Sequence, residues 1–238
     1  MLNLILQKLV PLLTTFALFI NSIGGLFGVS AVIPYNPERT DVVVSGEIST
    51  DTSEILEHYN SAVKETGFVI GKTSSDIIGT PTAGTDDLDI DMTPYWDAIG
   101  ETETYLFEVP GDGNIIAADV KSAKMSVNDG KRYVILEIKD VKRTEKTDDA
   151  VARAYGWSTD LNELFSSSGI GITVEGGEYK ESYTDCTISC VIDEKTGKII
   201  YGDWDATGTI NMKDVTVKAF GLEFTMDMDY TARQYIDI

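Results

Sequence analysis

The chain has 238 residues, 39 of them Asp or Glu and 19 Lys or Arg, and its formal charge near neutral pH is −20. A field of that sign repels phosphate backbones and argues against nucleic-acid binding and against docking on anionic lipid through a basic patch. One histidine and two cysteines leave little material for a zinc site or for Ser-His or Cys-His catalysis.

Residues 1–31 contain one charge, Lys8, followed by the apolar run Leu9 to Ile20. Val29-Ser30-Ala31 offers small or tolerated residues where a signal peptidase reads, so a cleaved signal peptide is expected. The alternative is an uncleaved anchor, because no charge occurs from Leu9 to Pro37 and about 20 apolar residues span a bilayer. Both readings place the remainder outside the cell, at or beyond its surface, with membrane contact only through residues 1–31. Residues 32–40, with Pro34 and Pro37, read as a linker. Residues 41–238 read as one domain.

Within that domain, Asp41 to Ile48 reads as a first strand. Asp51-Thr-Ser-Glu54 then predicts a helix start, with Asp51 as cap and Glu54 replying three residues on. The helix runs to about Thr66 and stops at Gly67. Ile55, Tyr59, Ala62 and Val63 make one apolar stripe, so this helix is expected to lie across the sheet. Residues 67–113 are less regular. Thr80 to Gly84 is a turn-rich break, Leu88, Ile90 and Met92 alternate with Asp87, Asp89 and Asp91, and Tyr105 to Val109 reads as a strand.

From Ile115 the pattern clears. Segments 115–127 and 132–141 flank Asn128-Asp129-Gly130, a hairpin signal. Asp148 to Tyr155 and Asp160 to Phe165 read as two short helices. Strands follow at about 170–175, 179–193, 198–211, 214–220 and 222–235, with Gly176-Gly177 and Lys195-Thr196-Gly197 as hairpin turns. Met226, Met228 and Tyr230 share a face with Leu222 and Phe224, opposite Glu223, Thr225, Asp227, Asp229 and Thr231. The fold class expected is α+β: a long-stranded, curled antiparallel sheet, a partial barrel, packed on an amphipathic helix with two short helices beside it.

The chemistry-bearing residues are few. His58, in the first helix, has no evident nucleophile partner and reads as a surface or packing residue. Gly169-Ile170-Gly171 lacks the third glycine of a dinucleotide loop. Asp87, Asp89 and Asp91 have the one-three-five spacing of a calcium loop but not its glycine or its final glutamate, so they are only a weak Ca²⁺ candidate and no cofactor is expected. Cys186 and Cys190, four apart in a strand, are about 13 Å apart along it, too far for a disulfide; they read as core residues beside Ile188 and Ile192. Trp204 reads as core. Tyr95 and Trp96, after Pro94, are candidates for an exposed contact. No pair among the many carboxylates is marked as the acid pair of a hydrolase.

Two stretches carry a resemblance. Tyr183-Thr-Asp-Cys186, Val191 to Ile199 and Asp229-Tyr-Thr231 resemble the C-terminal part of uncharacterised cell-surface proteins of Gram-positive gut bacteria. Glu54-Ile-Leu-Glu-His-Tyr-Asn60 is similar to the helix that opens their folded region. The resemblance implies a surface location, and it brings no established activity or ligand with it. A curled antiparallel sheet with a helix across it is also similar, at the level of fold, to lipoprotein-carrier lipid-binding folds. The expected role is non-enzymatic binding of a hydrophobic molecule or lipid in a sheet–helix cavity, with Ile55, Tyr59, Met125, Met212, Met226 and Met228 as the lining. The alternative is an adhesion or scaffolding module that meets another cell-surface protein through its acidic or aromatic surface, and a hydrolase is the remote third reading.

Overall fold

The computed structural model describes residues 42–80, 82–85, 88–91, 103–145, 147–157, 173–219 and 222–238. The leader and linker, Asp87, Tyr95, Trp96, the helix expected at 160–165 and Gly169 to Gly171 lie outside the described residues. Among the described residues, no helix is long and apolar enough to cross a membrane.

The described chain forms a large, open, antiparallel sheet with two α-helices. In chain order the elements are β1 (Ile48–Ser49), α1 (Thr52–Thr66), β2 (Phe68–Ile77), β3 (Thr82–Thr85), β4 (Leu88–Asp91) and β5 (Glu103–Glu108). A 3₁₀ turn (Ala117–Asp119) leads into β6 (Val120–Asn128), β7 (Lys131–Ile138), β8 (Val141–Arg143) and α2 (Ala150–Tyr155). The last four strands are β9 (Thr173–Glu175), β10 (Glu178–Asp193), β11 (Ile199–Ala219) and β12 (Leu222–Asp237). The main path across the sheet is β1-β6-β7-β10-β11-β12-β2-β5, with β8 on β10, β9 on β11, and β3 joining β12 to β4.

Local chemistry explains most of these boundaries. The Asp51 side chain accepts hydrogen bonds from the backbone N–H groups of Ser53 and Glu54, and Gly67 ends α1 at φ 66°. Glu54 does not reply to the cap backbone as its spacing suggests; its Oε2 accepts from Ser49 Oγ at 2.8 Å. In the β6–β7 hairpin, Asp129 and Gly130 both have positive φ, 51° and 71°, as a turn matching the strands' right-handed twist requires. At the β10–β11 turn the Asp193 carboxylate accepts from both the backbone and the hydroxyl of Thr196.

Three expectations are corrected. The first strand is only two residues long, because pairing with β6 begins at Ile48. The segments 198–211 and 214–220 are one strand, β11, carrying a bulge between Met212 and Val215. Gly176-Gly177 is not a hairpin turn. Glu175 pairs with Thr216 and Glu178 with Lys213, so β9 and β10 run in line along the same edge of β11. The glycine pair lies opposite the β11 bulge, where Asp214 has φ 52°, and a bulge bends and twists its strand. The interruptions in neighbouring strands at one level make a crease across the sheet.

Both α-helices contribute to one apolar cluster. Ile55, Leu56, Tyr59, Ala62 and Val63 of α1 join Val151, Ala154 and Tyr155 of α2. From the sheet come Met125, Val134, Leu136, Ile138, Ile188 and Trp204. Cys186 and Cys190 are free thiols in this cluster, beside Ile188 and Ile192.

Candidate functional site

The residues of the expected sheet–helix cavity are all buried, but they fall into two groups. Ile55, Tyr59 and Met125 belong to the cluster that receives the helices, whereas Met212, Met226 and Met228 lie outside it.

Within the first group, Tyr59 is in direct contact with Trp204. Tyr59 and Trp204 are both fully buried, and the Trp204 indole N–H donates to the Tyr59 hydroxyl at 3.0 Å. The Trp204 ring lies over Gly202, two residues back on β11, where a Cβ would overlap it. Burial pushes the Tyr59 hydroxyl well above its ordinary pKa, so it stays neutral. From α2, Tyr155 directs its hydroxyl to the carbonyl oxygens of Thr187 and Asp205 at 3.1 and 2.9 Å. These two residues pair across β10 and β11 just past the bulge that holds Asp185 and Cys186, so Tyr155 docks where the ladder is interrupted.

The motif Glu54 to Asn60 is thereby explained residue by residue. Glu54 fixes the entry to α1, and Ile55 and Tyr59 face the core. Asn60 clamps the loop before the 3₁₀ turn, donating to Ile115 O at 2.8 Å and accepting from Ile115 N at 3.1 Å. His58 Nδ1 lies 2.9 Å from Arg132 Nη1. Because guanidinium only donates, His58 accepts there, and Arg132 also reaches Glu194 at 3.1 Å.

A second, polar assembly was not anticipated. Arg143 and Glu181 are both buried, and Arg143 Nε donates to Glu181 Oε2 at 2.6 Å. The other guanidinium nitrogens reach Asp149 Oδ2 at 2.9 Å and the Trp157 carbonyl at 3.0 Å. The Tyr183 hydroxyl donates to Glu181 Oε1. Trp157 packs between Tyr155 and Tyr183, with ring centroids 4.7 and 5.5 Å away. Burial opposes the Arg143 charge, but the hydrogen bond and attraction of Glu181 outweigh it and hold the guanidinium above its ordinary value. Burial, with Glu181 adjacent, pushes the Tyr183 hydroxyl well up. Asp149 also caps α2 through Val151 N and Ala152 N. Each charge has an internal partner, and the assembly clasps β8, β10 and α2 together. The signal available in the sequence was Glu181, which falls at an inward position of the β10 alternation between Tyr179 and Tyr183.

The methionine group sits at the crease. Met212 pairs directly with Met228, and across the bulge Val215 pairs with Met226. Ile210, Val217 and Tyr230 are buried on the same face. The opposite face of β11 and β12 is polar, carrying Asp203, Asp205, Asp229, Thr209, Thr231 and Arg233, with Arg233 paired to Asp205.

Asp89 and Asp91 lie in β4, while their companion Asp87 is outside the described residues. Among the described residues, no group of three or more His, Cys, Asp or Glu is placed to hold a metal ion. An open groove of about 510 Å³ runs beside α1, lined by Glu57, Asn60, Ser61, Lys64 and residues 113–116. Its Asn60 and Lys64 are already engaged by Ile115 and Asn114.

Comparison of the chain with family models, curated proteins and solved structures finds no match.

Proposed function

We propose that this chain is an exported, non-enzymatic protein of the cell surface that binds a hydrophobic, lipid-like molecule. The site is the methionine-bearing part of the sheet rather than the interface with α1. The observation that carries the reading is the placement of Met212, Met226 and Met228 at the crease, outside the cluster that receives both helices. Methionine is unbranched and polarizable, and a lining of it adapts to apolar ligands of varied shape. In this reading the sheet curls at the crease as a partial barrel within a single domain. The export expectation rests on the apolar leader, and the surface location on the resemblance carried by Glu54 to Asn60 and by β10 to β12. The commitment of Arg143, Glu181, Tyr183 and His58 to internal partners supports a role without catalysis. The test is titration of the full chain with a fluorescent fatty-acid analogue, competed by oleate. Saturable uptake that Met226→Gln/Met228→Gln abolishes, with the fold retained, supports the site. Absence of uptake, or uptake unchanged in the double variant, rejects it.

A second reading has its own observation. The polar face of β11 and β12 carries a row of aspartates beside a threonine pair joined at 3.0 Å, Thr209 and Thr231. An adhesion or scaffolding module would meet a basic partner there. Binding that survives high salt unchanged would contradict this alternative.

A further inference from the structure

The sheet has one end at which its strands turn and its chain enters. The β6–β7 turn at Asp129-Gly130 and the β10–β11 turn at Asp193 to Lys198 lie there, because Asp193 pairs with Lys131. The start of β2 is there too, since Lys72 pairs with Asp237 and Phe68 lies four residues further out. Helix α1 ends there, where the Thr66 hydroxyl accepts from Ile199 N at 2.8 Å. The chain entering β1 bends at Gly46, where φ is 82°, and the Ser45 N–H donates to Ser126 Oγ at 3.2 Å, close to the β6–β7 turn.

Five of the eight large apolar side chains that stand exposed among the described residues lie at this end: Ile48, Phe68, Ile70, Val127 and Ile200. Phe68 is 66% exposed and Ile200 51%. Away from the helices the register continues the pattern. Ile48, Ser126, Tyr133, Val191 and Tyr201 are successive partners across five strands, and Ile70 is level with them on β2. Ser126 and Val191 of this row are buried, Tyr133 and Tyr201 are half-buried, and the bare apolar side chains lie beyond them; half-buried tyrosines beside exposed apolar groups are the mixture found where a protein meets a membrane–water boundary. Lys64, Lys131, Lys195 and Lys198 are exposed at this end together with Glu47, Glu65, Asp129 and Glu194, and lysine stems are long enough to reach outward past apolar neighbours. The far end, beyond the crease, exposes Glu175, Glu178, Lys180, Lys213, Asp214 and Glu223.

The sequence also fixes what lies next to this end. The charge-free stretch from Leu9 to Pro37 is followed by the described chain at Val42. Five residue steps reach at most about 18 Å even when fully extended. A bilayer holding that stretch is therefore within reach of the turn end.

We infer that the turn end of the sheet docks on a lipid bilayer, with Phe68, Ile70 and Ile200 at the level of the headgroups and the end beyond the crease pointing away. The inference rests on the anchored form of the reading above, in which residues 9–37 stay in the membrane. The strongly negative net charge favours a zwitterionic lipid surface over an anionic one.

The test uses the full chain reconstituted in phosphatidylcholine vesicles. Single cysteines are introduced as Phe68→Cys, Ile200→Cys and, at the far end, Glu223→Cys, and each is labelled with a fluorophore. The native Cys186 and Cys190 are buried and do not compete. Flotation reports the anchor, and quenching by lipids with brominated chains reports the docking. Docking predicts co-flotation, loss of most of the emission from positions 68 and 200, and no loss at 223. Co-flotation with equal emission at all three positions overturns the docking while leaving the anchor intact. A chain that does not float removes the anchor and the inference with it. Labels at 68 and 200 that are shielded from water but not quenched by lipid, in a chain whose mass doubles with concentration, assign the patch to a second copy and overturn it equally.

Discussion

Trp204 and Tyr59, 145 residues apart in sequence, meet in the core through a single hydrogen bond of 3.0 Å. That bond joins the first third of the 21-residue strand β11 to the middle of α1, at the point where Gly202 leaves room for the indole ring. Replacing Tyr59 by Phe keeps the ring but leaves a buried N–H without its acceptor. The expected loss is about 1–3 kcal/mol, and Tyr59→Ala, which also opens a cavity, is expected to cost about 3–5 kcal/mol. Urea unfolding followed by tryptophan emission measures both, and a Tyr59→Phe variant as stable as the parent would contradict the role given to the bond.

The Arg143–Glu181 pair makes a different prediction. Both side chains are buried, so removing Arg143 strands the Glu181 charge, and removing Glu181 leaves Arg143 with Asp149 as its one carboxylate. Arg143→Met alone or Glu181→Gln alone is expected to destabilise by about 3–5 kcal/mol, and replacement of both by apolar residues by clearly less. A double-mutant cycle from chemical denaturation checks this. Additive losses would mean that the two side chains are not coupled.

Much of the helical framework is legible in the chain because it is local. The Asp51 cap, the stripe at Ile55, Tyr59, Ala62 and Val63, and the Gly67 stop lie within one continuous segment, as do Asn128, Asp129 and Gly130 of the first hairpin. The glycine pair at 176–177 shows where local reading ends. Two glycines supply positive φ equally well for a hairpin turn and for a kink in line, and the choice depends on Asp214 in the facing strand. The segment 68–77 is obscure for a related reason. Lys72 to Asp76 breaks the apolar alternation, and its strand state depends on pairing with β12, more than 150 residues away. The candidate lining was legible as periodicity, but not its division into two groups, which follows from how far the helices reach across the sheet. Arg143 and Glu181 carry no mutual signal at a separation of 38 residues.

Acid stability is expected to depend on Asp119. Burial would raise its carboxyl pKa, but hydrogen bonds from Arg153 and from Ile116 N, with the Arg153 charge, hold it below the ordinary value. A folded-state pKa below the unfolded one gives stabilisation that is complete above the unfolded value and is lost as pH falls through the folded one. Asp119→Asn should lower stability at neutral pH and flatten the acid limb of the stability curve. Parallel pH profiles for the parent and the variant, measured by denaturant midpoint, would speak against this coupling.

The two thiols should be inert in the native protein. Burial pushes Cys186 up to about 12 and Cys190 also upward, and both side chains are inaccessible. Thiol reagents near pH 8 are expected to label neither residue until the chain unfolds, and then both. Rapid native labelling of either one would show that the β10 bulge opens in solution.

The account turns on a hydrophobic molecule held against Met212, Met226 and Met228. Native mass spectrometry of the protein released from cells reports this directly. The account predicts a mass above that of the polypeptide, accompanied by an extractable apolar compound and absent from Met226→Gln/Met228→Gln. A bare polypeptide mass that does not change on incubation with oleate would contradict it.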